Sequence, residues 1–454
     1  MRNPMFVYDE RLTTLILDYC RWRLALDPVP LDYGGAQAES LDASLEGLIN
    51  PTGTDARRIM EIFDHDLATA VVSCDSPRFL SFIPAAPTKA SLLFDMVVAC
   101  SSLQGTSWME AAGAVAAENQ ALGVLAELAG LPEGAGGCFV SGGSAGNLSA
   151  LMVARDTTEH RMGDRAPARP LVAISEEAHS SVGKALGVLG VEALLIPCDD
   201  HRMTGSGLVS TLDGHPRADD VIAVVATGGT TNAGIIDDLA GVGRIAGERS
   251  FWFHVDGAYG CAALFAPSVR DRFAGLEMAD SFVVDPHKWL FAPFDCAALI
   301  YREPHLAKAV HTQDASYLDV MHSDVRDDWN PSDYAYHLTR RARGLPLWFS
   351  LAVYGTDAYR DAIETVLTVT QQTADLVEQA PHLELVRRPE LSVVLFRRTG
   401  WGWDDYERWS ARLLKDQIGF VVPTIWEDEP VGRLALLHPD TTLAMIEEII
   451  ATLA

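Results

Sequence analysis

Lysine is seldom buried without a task, and Lys288 stands in Asp285-Pro286-His287-Lys288-Trp289, directly after the apolar run Phe282–Val284. A lysine at the end of a buried strand, able to give up its proton, suits imine chemistry with an aldehyde. Taken alone it could equally be a surface lysine. Three further segments carry groups of chemical interest. Ser141-Gly142-Gly143-Ser144-Ala145-Gly146-Asn147 lies between the apolar Cys138–Val140 and a helical Leu148–Arg155. Its glycines let backbone approach an anion, and a helix N-terminus offers free N–H groups at the positive end of its dipole, although Gly/Ser turns before helices are common. His254-Val255-Asp256-Gly257-Ala258-Tyr259 closes the run Phe251–Val255. A strand-end aspartate is often a helix cap; His-x-Asp could also suggest a metal, but no third ligand lies near it, so none is expected. Glu177-Ala178-His179-Ser180-Ser181 follows Leu171–Ser175, and the imidazole there could stack on a planar ring or be an ordinary core or surface histidine.

These groups need a scaffold that brings the ends of several apolar runs together. Seven such runs read as strands: Cys138–Val140, Leu171–Ser175, Leu194–Pro197, Val221–Ala226, Phe251–Val255, Ser281–Val284 and Ala297–Tyr301. Short continuous runs alternating with helical stretches predict an α/β sheet buried on both faces, and open sheets of that kind bind ligands beyond the carboxyl ends of their strands. Residues 1–75 read as a peripheral helical segment, broken at Pro28, Pro30, Gly34 and Gly35. Glu110–Leu131 reads as a helix stopped by Gly130 and Pro132. The expected division is 1–75, a large domain over 76–345, and a connecting helix with a smaller α+β domain over 346–454.

Composition narrows the class. The 454 residues are 48% hydrophobic and 21% charged, enough for a sizeable core. A net charge of -27 argues against nucleic acid as a partner. The seven cysteines are scattered without a CxxC pair, which suits a reducing compartment and gives no zinc site. Met1–Leu31 lacks a signal-peptide core, and no apolar run reaches the ~18–20 residues of a membrane span. A soluble, cytoplasmic protein is the expectation.

A lysine, a carboxylate, an anion cradle and an imidazole, each just past an apolar run, describe a pocket for pyridoxal 5′-phosphate. The order of SGGSAGN, EEAHSSVGKA, GGTTNAGIID, HVDGAYG, DPHKW, DASYL and RRARGLPLW resembles the group II pyridoxal-phosphate-dependent decarboxylases, the family of aromatic-L-amino-acid and glutamate decarboxylases. The resemblance runs from about Pro77 to Tyr354 and more faintly through Arg433–Thr442. It implies fold type I, as in aspartate aminotransferase: a mostly parallel seven-stranded large domain, a smaller C-terminal α+β domain, and a working homodimer. By resemblance, Lys288 carries the cofactor, Asp256 pairs with its pyridine nitrogen, Ala258 lies beneath the ring and His179 stacks on the other face. Gly143, Ser144 and His287 resemble the phosphate contacts, Thr231 stands beside the imine, and Tyr317 matches a mobile-loop tyrosine that reprotonates the substrate carbon. The polar stretch His311–Trp329 suits such a loop.

Two departures bear on the substrate. Asp285 stands where the aromatic branch often has Asn, so no phosphate contact is assigned to it. Gln104 and Thr106 occupy positions that resemble apolar pocket residues of the aromatic branch. With Phe82 and Trp289 they form a tentative substrate pocket, though each aromatic could equally be core packing. The implied reaction is α-decarboxylation of an L-amino acid, leaning aromatic, to an amine and CO₂. Alternatives are an acidic or polar aliphatic substrate, an oxidative aldehyde synthase (which Tyr317 argues against), a lyase cleaving another C–C bond, and a non-catalytic binding protein on the same fold.

Overall fold

The computed structural model describes residues 3–32, 37–83, 86–313 and 328–454. Among these, every one of the seven apolar runs is a strand: β1 (Gly136–Val140), β2 (Leu171–Ser175), β3 (Glu192–Ile196), β4 (Val221–Thr227), β5 (Trp252–Asp256), β6 (Ser281–Val284) and β7 (Ala297–Tyr301). They form one sheet in the order β1-β7-β6-β5-β4-β2-β3. Strands β3, β2, β4, β5 and β6 run parallel, and β7 lies antiparallel to both β6 and β1. Every residue of β1, β2, β4, β5, β6 and β7 is buried, which is why these strands read as continuous apolar runs. Two strands start earlier than their hydrophobicity suggests. Gly136 and Gly137 pair with Tyr301 and Ile300 through backbone alone, and β3, at the sheet edge, opens on the half-exposed Glu192.

Helices cover the sheet. Before it come α1 (Glu10–Leu24), α2 (Ala38–Leu45), α3 (Ala56–Ile62), α4 (Lys89–Cys100) and α5 (Trp108–Leu128). The crossovers carry α6 (Gly143–Met162), α7 (Ser180–Leu189), α8 (Gly205–Gly214), α9 (Leu239–Arg249) and the single turn α10 (Pro267–Arg270), and α11 (Pro304–His311) follows β7. The expected long helix is α12 (Leu345–Gln379), interrupted at Gly355, whose φ of 77° no helix accommodates. Beyond it lies a smaller domain with an antiparallel sheet, β8 (Leu383–Leu385), β9 (Val393–Arg398), β10 (Thr424–Trp426) and β11 (Glu429–Ala435), packed with α13 (Trp403–Lys415) and α14 (Leu443–Ala451). The architecture is thus α/β with a mostly parallel seven-stranded sheet and a smaller C-terminal domain.

The N-terminal helices differ from the rest. None of α1, α2 or α3 buries a residue. They are tied to the body by Arg23 on Asp75 (2.8 Å) and by Ser73 N–H donating to Leu31 O (2.8 Å). His311, expected to begin a loop, instead closes α11 and is buried, its Nε2 3.2 Å from Ser149 O. At the other end of that stretch, Trp329 stacks on Tyr334 (4.3 Å) and donates Nε1–H to Gly137 O.

Candidate active site

A cavity of about 320 Å³ opens at the carboxyl ends of β4, β5 and β6. The elements around it each deliver one chemical group. Helix α6 begins at Gly143, directly after β1, so its first N–H groups face the cavity. A side chain at position 143 would not fit, because a Cβ there would lie 2.9 Å from Ala258 Cβ and 3.3 Å from both Asp285 carboxylate oxygens. At Gly229, another wall residue, φ of 121° and a Cβ position 2.9 Å from Gly260 Cα likewise require glycine.

The carboxylate at the end of β5 is Asp256, 6% exposed. Its Oδ2 accepts from Asn147 Nδ2 (2.9 Å) and its Oδ1 from Ala258 N–H (3.2 Å). His179 is the N-cap of α7; its Nδ1 accepts the Ser181 backbone N–H (3.2 Å) and meets Ser181 Oγ at 2.8 Å. Lys288 places Nζ 2.9 Å from Asp285 Oδ2, while Asp285 is 2% exposed and its Oδ1 has no hydrogen-bond partner. His287 Nδ1 accepts from Cys296 N–H (3.0 Å), which leaves its proton on Nε2, 3.5 Å from Asp285 Oδ2. Burial pushes the His287 pKa down against the opposing pull of Asp285. Ser144, Thr231 and Ala258 complete the walls named from sequence.

These groups fit pyridoxal phosphate. One cavity presents an amine for the aldehyde, a buried carboxylate for the pyridine nitrogen, and a helix N-terminus kept open by glycine for the phosphate. Two buried oxygens in its walls, Thr227 Oγ1 and Asp285 Oδ1, have no protein partner, as polar walls waiting for a polar guest would.

The other residues singled out from sequence lie elsewhere in a single chain. Trp289 is fully buried and stacks on Tyr259 (5.6 Å), so in this structure it is core rather than pocket wall. Phe82 is 62% exposed, with its carbonyl accepting from Arg433 Nη2 (3.0 Å). Gln104 bonds Glu110 on the surface, and Thr106 is buried near the Arg340–Glu118 ion pair, whose Arg340 Nη1 also donates to Gly105 O. Tyr317 lies outside the described residues. Sequence reasoning gave no role to Asn147 or to Glu177, which also line the cavity. The signal for Asn147 was its position four residues after Gly143, on the same face of α6.

Comparison with known proteins adds three findings. The model of the pyridoxal-dependent decarboxylase conserved domain matches residues 43–399. The chain is similar to the aromatic-L-amino-acid decarboxylase of Bacillus atrophaeus, 29% identical over 87% of this chain and 84% of that protein. It is also similar to the L-2,4-diaminobutyrate decarboxylase of Rhizobium meliloti, 30% identical over 92% of this chain and 86% of that one. In fold it is similar to the crystal structure of Oryza sativa TDC with PLP and tryptamine, with a TM-score of 0.91, 24% identity, and coverage of 100% and 99% of the two chains.

Proposed function

Because the chain belongs to the family of pyridoxal-dependent decarboxylases, we propose that the cavity at Lys288 removes the α-carboxylate of an aromatic L-amino acid. That the chain is a pyridoxal-phosphate-dependent amino-acid decarboxylase is the premise; the substrate and the residue roles are the proposal. The observation that carries the roles is the convergence of Lys288, Asp256 and the α6 N-terminus on one cavity.

When bound, the cofactor supplies an aldehyde for the substrate's amine and an electron-withdrawing ring for the charge left at Cα. Lys288 Nζ holds the cofactor and gives way to the substrate amine, with Asp285 at 2.9 Å to receive the freed ammonium. Asp256 keeps a proton on the pyridine nitrogen, since an adjacent carboxylate favours the charged form. Ala258, a small side chain in the wall, would leave room for the cofactor ring, and the His179 imidazole would pack against it. Gly143, Ser144 and His287 hold the phosphate, and Thr231 stands beside the reacting amine. The walls orient the Cα–carboxylate bond, and orientation selects which bond breaks. Tyr317 returns the proton to Cα.

The aromatic assignment is supported by the Bacillus relative. A second reading, a basic side chain like that of 2,4-diaminobutyrate, is favoured by Glu177 at the cavity wall and by the Rhizobium relative.

We further take the working unit to be a homodimer in the cytoplasm, with the chain divided at about residues 75 and 345. Leu12 and Ile16, one turn apart on α1, lie 45% and 39% exposed, with Trp22 of the same helix 51% exposed, apolar surface that a second copy would cover. Among the described residues no helix is long and apolar enough to cross a membrane. The test is CO₂ release and product identity with tryptophan, tyrosine, phenylalanine, glutamate and 2,4-diaminobutyrate. The expected result is highest kcat/KM for an aromatic substrate and an amine as product. Faster turnover of 2,4-diaminobutyrate would replace the substrate assignment, and aldehyde with peroxide as main products would make the enzyme an oxidative aldehyde synthase.

A further inference from the structure

Behind the cavity runs a continuous chain of buried hydrogen bonds, and its charged member fixes the direction of every bond. An ionised Asp256 can only accept. The Asn147 amide therefore turns its Nδ2 toward Asp256 Oδ2 (2.9 Å), and its remaining N–H reaches Ser181 Oγ (3.1 Å). The amide oxygen then faces His254 Nε2 at 2.9 Å, which requires a proton on Nε2. Burial pushes the His254 pKa down to about 4 against the opposing pull of Asp256, so the ring carries one proton and Nδ1 is bare. Nδ1 accepts from Ser281 Oγ (2.9 Å), which in turn accepts from Trp252 Nε1–H (2.9 Å). On the other branch, Ser181 Oγ already holds the Asn147 N–H and donates its own hydrogen to His179 Nδ1 (2.8 Å). His179 is left with its proton on Nε2. Trp252, Ser281, His254 and Asn147 are each at most 1% exposed, so no water competes for these bonds.

We propose that Asn147 and His254 are positioning residues, which together aim the Asp256 carboxylate at the cofactor nitrogen and set the ring nitrogen that His179 offers to the cavity. The proposal rests on the roles given above to Asp256 and His179. An amide between imidazole and carboxylate transmits orientation without net charge. A charged partner would instead share the carboxylate's negative charge and weaken its hold on the pyridine proton. His254 acts through Asn147, since the bonds place the amide between imidazole and carboxylate.

The experiment uses holoenzyme loaded with pyridoxal phosphate carrying ¹⁵N in the ring. The ¹⁵N chemical shift reports protonation of that nitrogen, independently of turnover, and borohydride fixation on Lys288 verifies loading. Wild type should hold the nitrogen protonated from pH 6 to 9. Asn147→Leu and His254→Leu should lose part of that protonation and lower kcat by roughly 10–100-fold, by analogy with removing the outer partners that orient metal ligands. His254→Gln, which can still donate to the Asn147 oxygen, should recover part of both. Should the leucine variants fail to fold, Asn147→Asp is nearly isosteric. It sets two carboxyls at hydrogen-bond distance, so ring protonation should gain a pH-dependent step that wild type lacks. Full protonation with kcat within twofold of wild type in both leucine variants, or no new step in Asn147→Asp, overturns the proposal while Asp256 keeps its role. An unprotonated nitrogen in wild type overturns the role of Asp256 and this proposal with it.

Discussion

At the carboxyl edge of β5, polar side chains are buried and matched: Asp256, Asn147, His254 and Ser281 are at most 6% exposed, and each is hydrogen-bonded to another of the four. In α1–α3 the situation is reversed. No residue is buried, and apolar side chains such as Leu12, Ile16 and Trp22 stand 39–51% exposed. The first region has its polar contacts satisfied within one chain, and Lys288, Asp256 and the start of α6 line one cavity there. The second keeps apolar side chains exposed among the described residues of one chain, although burial is what normally stabilises a helix in a protein. The contrast separates a site whose groups are assembled by one chain from a surface that, on the proposal of a homodimer, a second copy would cover.

The strongest way to break the first half of this contrast is Lys288→Ala. Removing the amine should lower kcat by several orders of magnitude, as loss of a covalent catalyst does, and leave nothing for borohydride to fix. A pyridoxyl group recovered on another lysine would show that the cavity has been assigned the wrong amine.

The second half is tested at α1. Leu12 and Ile16 lie four residues apart, on one face of the helix, and replacing both by Asp should turn a dimer in sedimentation velocity into a monomer. Mixed dimers extend the test to Tyr317. If each chain lends that residue to its neighbour, Lys288→Ala paired with Tyr317→Phe leaves one complete site of two, about half of wild-type activity. Silent heterodimers would mean that each chain completes its own site, and a monomeric wild type would remove the second copy altogether.

What could be read from the sequence divides along the same line. Strands β2, β6 and β7 were legible to the residue because burial on both faces leaves an unbroken apolar run. The start of β1 was not, because Gly136 and Gly137 pair through backbone and carry no hydrophobic signal. Lys288, Asp256 and Gly143 each had an ordinary reading when taken alone; the order of the motifs that carry them singled them out, and all three line one cavity. Phe82, Gln104, Thr106 and Trp289 were harder, because a pocket wall and a packing residue share the same residue types. Trp289 lies in the core, and the other three are not among the residues that line the cavity within one chain. The bonds of Asn147 to Asp256 and to His254 join residues more than a hundred positions apart, a distance over which spacing says nothing.

The smallest effect is expected where the C-terminal domain touches the cavity wall. His201 places Nδ1 2.8 Å from Glu177 Oε1 and Nε2 3.2 Å from Glu427 Oε1, and packs against Trp426 with ring centroids 4.0 Å apart and the planes tilted by 37°. Glu177 lines the cavity, whereas Glu427 and Trp426 sit at the turn between β10 and β11. His201 therefore latches that hairpin to the site. Burial lowers its pKa, but the bonds and charges of Glu177 and Glu427 outweigh burial and leave it raised. A histidine whose folded pKa is raised binds its proton more tightly when folded, so its stabilisation is complete below the unfolded value of about 6.5. It is lost as pH rises through the folded value. Glu427 is 58% exposed and solvent screens the pair, so the charge contributes about 0.5 kcal/mol, roughly 0.5 °C in Tm for a chain of this length. His201→Ala should therefore cost more stability at pH 6 than at pH 9, by about that amount. The part of the loss common to both pH values reports the ring's packing on Trp426, which titration does not touch. Equal losses at pH 6 and pH 9 in thermal denaturation would mean that His201 holds the hairpin by packing alone, and that the latch does not sense protons.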